Sequence, residues 1–220
     1  MRNPINPTFK SEVLPIALIL ISFMMSIYFY AHFPDRVPTH WNFKGEVNGW
    51  SSKGFGAFFF PSVNTALYLL MLALPIIDPR RDRYAQFAKP YHIVKSAIVA
   101  FMTLIYFYTG FAGMGYRMPS MNIVISLGMG VLFIIIGNYL GKVKSNWFMG
   151  IRTPWTLSNE EVWNKTHRLG GKLFVLCGFI LIISSLLPTN VYGIVFITSI
   201  IIVSLIPVVY SYWLYKKLTK

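Results

Sequence analysis

The sequence predicts an all-α integral membrane protein, a bundle of six transmembrane helices, and three observations predict it. Of 220 residues, 55% are hydrophobic and 12% charged, against about 25% charged in an ordinary soluble domain. The mean hydropathy is +0.55. The apolar residues fall in six long blocks, with the basic residues between and beside them.

The blocks cover residues 13–30, 57–77, 93–111, 123–140, 173–187 and 192–214, and a helix needs about 20 apolar residues to cross the hydrocarbon core. The fifth is short and could begin near Gly171. A β-barrel would instead show segments of alternating polarity, and the runs at 131–136 and 194–206 do not alternate. The first block is too long for the apolar core of a signal peptide, and no Ala-x-Ala-like site follows it, so it reads as a retained helix. Along the chain, residues 1–56 hold the first helix and a long loop, 57–140 the next three helices, and 141–220 a second long loop with the last two.

The net charge of +13 encodes topology rather than nucleic-acid binding, which needs a concentrated basic face on a soluble module. Sixteen of the 20 Lys and Arg residues lie at the two ends of the chain and in the second and fourth connections; only Arg36, Lys44, Lys53 and Arg117 lie in the others. Positive charge is retained on the cytoplasmic side. This places a multi-pass protein in a cell membrane with both termini cytoplasmic. The single cysteine, Cys177, lies within an apolar block and reads as a small core residue.

Two connections are longer than the 2–8 residues common between packed helices, and both are rich in Trp, Gly and Pro. The outer one, 31–56, is expected to be ordered: 39–43 and 47–51 can pair as a hairpin over Lys44, Gly45 and Glu46, with Gly45 and Gly49 suited to positive φ. His32, Asp35, His40 and Glu46 follow no standard zinc spacing; neither metal nor cofactor is expected. In the inner connection, 141–171, Ser158 reads as an N-cap, with Glu161 completing a capping box; Gly170 and Gly171 suit a C-cap, the alternative being a helix that continues straight into the membrane. Val162, Trp163, Thr166 and Leu169 share a face, which predicts an amphipathic helix on the cytoplasmic membrane surface. His167 has polar neighbours but no nucleophile motif, metal motif or phosphate loop around it, so no enzyme is predicted. Its expected role is to satisfy a backbone group or partner side chain.

Inside the blocks strongly polar residues are few: Asn64 and Thr65 fall in the second and Asn138 in the fourth, and no charge is expected deep in the membrane. Since coupled transporters usually place charges near the midplane, this argues against one. Lys10 and Glu12 read as headgroup anchors, and Gly137 with Gly141 as a G-x-x-x-G contact.

Residues 37–42 (VPTHWN), then Gly45, Asn48, Gly49, Trp50 and Lys53, resemble the N-terminal domain of the SdpI/YfhL family. Residues 146–158 (NWFMGIRTPWTLS), then 161–163 (EVW) and 166–168 (THR), resemble its C-terminal signature. The resemblance implies a bacterial immunity protein against a secreted, membrane-active peptide toxin. It also implies signal transduction, with a small DNA-binding transcriptional repressor held at the membrane when toxin is present. On this reading His40, Trp41, Asn42, Gly45 and Trp50 shape an outer surface for the toxin. Trp147, Arg152, Trp155, Glu161, Trp163, His167 and Arg168 shape an inner surface for a partner. The competing readings are a membrane enzyme using His167 or a His32/His40 site, and an exporter of a toxin or small molecule.

Overall fold

A computed structural model describes residues 3–219. Its order is α1 (Phe9–His32), β1 (Arg36–Trp41), β2 (Val47–Ser52), α2 (Lys53–Ile77), a 3-10 segment (Arg81–Phe87), α3 (Ala88–Gly113), α4 (Met121–Leu140), α5 (Pro154–Ser158), α6 (Glu160–Ser184) and α7 (Thr189–Leu218). Six helices are long and apolar enough to cross a membrane. The chain is a multi-pass membrane protein.

The helices pack as two groups, α1–α2–α3 and α4–α6–α7, joined where α3 meets α4. This division falls within the 57–140 segment, not at its ends. The basic segments gather at one end of the bundle. There Ile5, Tyr84, Phe87, Tyr91, Val143 and Trp163 form a buried cluster, and Thr153 Oγ1 meets Ser211 Oγ of α7 at 3.0 Å. The hairpin sits at the opposite end.

α2 carries Pro61 and Pro75. A proline inside a helix leaves the carbonyl four residues earlier without its N–H partner. Both orphaned carbonyls are met from α3: Tyr106 Oη donates to Ala57 O (2.9 Å) and Tyr91 Oη to Met71 O (2.5 Å). In lipid no water can stand in for them. Tyr91→Phe is expected to cost about 1–2 kcal/mol. That loss should shrink in a Pro75→Ala background, where the helix regains its own donor; thermal unfolding of the four proteins in detergent measures both.

The α4–α6 contact is built on glycine. A Cβ on Gly137 would lie 2.6 Å from Gly171 O, and one on Gly171 would lie 2.7 Å from Gly137 O. Gly130 and Gly178 repeat the arrangement two turns away, with corresponding distances of 2.7 and 2.5 Å. The helices therefore run antiparallel with their backbones in contact. Of the expected Gly137/Gly141 pair, only Gly137 makes the tight approach: a Cβ on Gly141 would meet nothing closer than Arg168 Cα at 3.7 Å and His167 O at 4.0 Å.

This contact also corrects the expected surface helix. Residues 160–171 are the first turns of α6, which runs unbroken into its membrane-spanning part. Gly170 and Gly171 are buried packing positions rather than a cap. The N-cap is Asn159, whose Oδ1 accepts from Glu161 N (2.9 Å) and Val162 N (3.1 Å). Ser158 ends α5 instead. Glu161 pairs with Lys165 at 2.6 Å, one turn on.

A second correction concerns charge. Glu12 is no headgroup anchor, and Lys95 is no loop residue. Lys95 is fully buried, its Nζ 2.5 Å from Glu12 Oε2. Tyr68 Oη donates to the same oxygen (2.7 Å) and Ser11 Oγ to Oε1 (2.8 Å). His92 Nδ1 lies 3.2 Å from Oε1, while His92 Nε2 donates to Ile5 O (2.8 Å). One carboxylate thus ties α1, α2, α3 and the segment before α1 together.

Candidate functional site

The hairpin pairs antiparallel, Arg36 opposite Ser52 and Val37 opposite Ser51, with a register shift between Pro38 and Trp41. Its second strand matches the expected one to within a residue, and its first begins three residues earlier than expected. Its turn is held by Asn42. Oδ1 accepts from Lys44 N (2.9 Å) and Glu46 N (3.0 Å), and Nδ2 donates to Glu46 Oε2 (2.9 Å). Gly45 has φ +78°, the left-handed region glycine tolerates. Gly49 does not share that conformation; it is small because a Cβ there would lie 2.7 Å from His40 Cβ.

The hairpin is fastened to the bundle. Val37 and Phe33 bury against Phe29, Ala57 and Tyr106, and Asn122 Nδ2 donates to Phe43 O (2.6 Å). Trp41 sets its edge on Tyr108, ring centres 5.7 Å apart. His40 is exposed, with Nδ1 2.6 Å from Asn48 Oδ1. Trp50 is 52% exposed. The structure thus gathers the five outer residues on one hairpin but on two faces.

Two cavities open beneath it. One of about 380 Å³ is lined by His40, Trp41, Asn42, Asn122 and Tyr192. A larger one of about 890 Å³ lies between Phe43, Lys44 and Glu46 and the start of α7, at Gly193, Ile194 and Ile197. Phe43 lines both and is half exposed. The sequence reading missed Phe43 and the α7 wall, which lies some 150 residues from the hairpin in the chain. It also grouped His32 with His40, but His32 Nδ1 is committed to Tyr28 O (2.8 Å) on its own helix.

At the basic end, 141–159 folds into an ordered platform whose two hubs are Asn146 and Asp78. Buried Asn146 accepts on Oδ1 from Phe148 N (2.8 Å) and Met149 N (2.6 Å), and its Nδ2 donates to Lys144 O (2.8 Å) and Met149 O (2.9 Å). Asp78, at the end of α2, accepts from Arg80 N (2.7 Å), Tyr84 Oη (2.8 Å) and Trp147 N (2.9 Å). Arg80 adds bonds to Ser145 Oγ and Leu157 O. The 78–84 linker and the inner loop are therefore one unit. Neither Asp78, Arg80 nor Tyr84 was singled out from sequence.

Two residues expected on the inner surface lie beneath it. Trp163 and His167 are fully buried and stacked, with ring centres 3.9 Å apart. Trp163 Nε1 donates to Val143 O (2.8 Å). His167 Nε2 accepts from Ile151 N (2.9 Å), so its Nδ1 carries the proton and donates to Trp163 O (2.8 Å). Both ring nitrogens are in use, as expected of a histidine that satisfies backbone. Gly150, at φ +111°, leaves the space His167 fills. Trp147, Arg152, Glu161 and Arg168 are exposed. Arg152 Nη1 donates to Trp147 O (2.7 Å), and Trp155 packs half-buried against Tyr212 (4.9 Å).

Residues 142–211 match the SdpI/YfhL protein family, and residues 17–65 match a domain of unknown function, DUF1648. The first match spans the platform, α6 and α7 as far as Ser211, the residue that α7 offers to Thr153. The second spans most of α1, the hairpin and the start of α2. The chain is similar to the Immunity protein SdpI of Bacillus subtilis (strain 168), 28% identical over 209 residues, 95% of this chain and 98% of that protein. No solved structure matches it significantly. The chain thus matches the SdpI/YfhL family over the platform, α6 and most of α7, and is similar to an immunity protein almost end to end.

Proposed function

We propose that this chain is an immunity protein, protecting a bacterial cell against a secreted, membrane-active peptide toxin that it meets at the hairpin end. The observation that carries the proposal is the near full-length similarity to an immunity protein. The clustering of basic segments opposite the hairpin supports a cytoplasmic platform with both termini inside, and an outward hairpin. An outward, ordered hairpin with Phe43 and Trp50 exposed, and with Phe43 lining two open cavities, suits capture of an apolar peptide. The test is survival. A toxin-sensitive bacterium expressing the chain should outlive challenge with the toxin countered by the related immunity protein. Death at confirmed membrane expression would sink the proposal.

The finer reading, a repressor held at the cytoplasmic side, rests on the family resemblance and on Trp147 and Arg152, exposed on the platform, and Arg168, exposed on α6. The fully used nitrogens of His167 weigh against the enzyme reading. The exporter reading gains from the buried Glu12–Lys95 pair, since intramembrane charge often marks a transport path. Protection that collapses when the proton-motive force is dissipated would favour export over immunity by binding.

A further inference from the structure

We propose that the seam between α3 and α4 binds one anionic phospholipid, with its headgroup on three lysines at the basic end and an acyl chain laid between the two helices. Lys89, Lys142 and Lys144 converge with Gln86 and Tyr139 on a cavity of about 450 Å³. No carboxylate lines it. Among the described residues, none of the three ammonium groups forms an ion pair, and Lys142 Nζ rests 5.0 Å over the Tyr139 ring. Three unneutralised positive charges beside a membrane call for a negative partner.

A second observation says which partner. Deeper along the same two helices lies a cleft of about 330 Å³, walled by Ala97, Ala100 and Phe101 of α3 and by Gly128, Val131 and Ile135 of α4. Its lining is almost wholly apolar. The path from the cavity is short: about 10 Å along α3 from Pro90 to Ala97, and about 6 Å along α4 from Tyr139 to Ile135. The cleft continues to Leu104 and Leu127, a depth comparable with one leaflet of a core about 30 Å thick. A soluble anion would use the lysines and leave the cleft empty; a phospholipid uses both. The seam is also where the two helix groups meet, so a lipid bound there bridges them.

Native mass spectrometry of the full chain in a neutral detergent tests this. It should be titrated with phosphatidylglycerol, phosphatidylcholine and inorganic phosphate in separate arms. Phosphatidylglycerol should bind one per chain, at least roughly tenfold tighter than phosphatidylcholine, and phosphate should not displace it. The triple variant Lys89→Gln, Lys142→Gln, Lys144→Gln changes exposed or part-exposed side chains and should lose the preference. Ala100→Phe fills the cleft, keeps every lysine, and should also weaken phosphatidylglycerol binding. The proposal is overturned by equal binding of the two lipids, by an unchanged preference in the triple variant, or by unchanged binding in Ala100→Phe. Displacement by phosphate would reveal a free-anion site and overturn it as well.

Discussion

Lys95→Met is expected to cost about 3–5 kcal/mol of stability, because it leaves the Glu12 carboxylate buried without its cation. The partners that remain, Tyr68 and Ser11, donate hydrogen bonds but carry no positive charge, and His92 reaches only one edge of the carboxylate. Removing both charges together should be much milder, since a buried pair often contributes little over a neutral, well-packed replacement. Glu12→Gln combined with Lys95→Met should therefore recover most of the loss. Thermal unfolding of the single and double variants in detergent decides it. Equal destabilisation in the two would mean that the charges do not act as a pair. The consequences of the single change should reach the platform. Ile5, whose carbonyl His92 holds, packs in the same cluster as Tyr84, Val143 and Trp163.

Gly137→Leu is expected to be of similar severity for a different reason. The first atom of any side chain there lands 2.6 Å from Gly171 O, and a helix backbone cannot swing aside as a flexible side chain can. Overpacking costs typically about 1–3 kcal/mol, occasionally more, and a backbone obstacle places this site at or above the upper end. Gly141→Ala is the control. Its Cβ meets nothing closer than 3.7 Å, so its effect should stay within about 0.5 kcal/mol. Membrane abundance and unfolding temperature should both fall for Gly137→Leu and hold for Gly141→Ala. The reverse result would restore the G-x-x-x-G reading and place the α4–α6 contact elsewhere.

The six spans were legible in the sequence because hydropathy is a local property and each block carries it alone. The hairpin was legible for the same reason: Asn42, Gly45 and Glu46 form its turn within five residues. The start of α6 was not. Gly170 and Gly171 look like a helix stop, and only the Gly137 backbone lying against Gly171 shows that they are there for close approach. Ser158 and Asn159 are both good caps, and spacing to Glu161 favoured the wrong one. Lys95 was counted among the loop charges because its partner lies 83 residues earlier. Charge counting registers a lysine in the same way whether it faces water or a buried carboxylate. Trp163 and His167 were read as surface residues because the exposed face of a helix depends on what covers it. Here Val143 and Ile151, from the preceding loop, fold back over them. Asp78 carried a weak signal, as an acid opening a run of arginines. Its role emerges only with Trp147, 69 residues away.

The central claim, that protection acts through the hairpin end, is tested most directly by survival under toxin at matched membrane levels. Phe43→Ala and Trp50→Ala alter exposed rings of the hairpin; Trp147→Ala and Arg152→Ala alter exposed groups of the platform. The account predicts that the hairpin variants succumb at toxin doses at least roughly tenfold lower, as expected for the loss of an aromatic anchor at a binding surface. The platform variants should survive like the unaltered protein. Full protection by both hairpin variants, with protection lost in the platform variants, would contradict it.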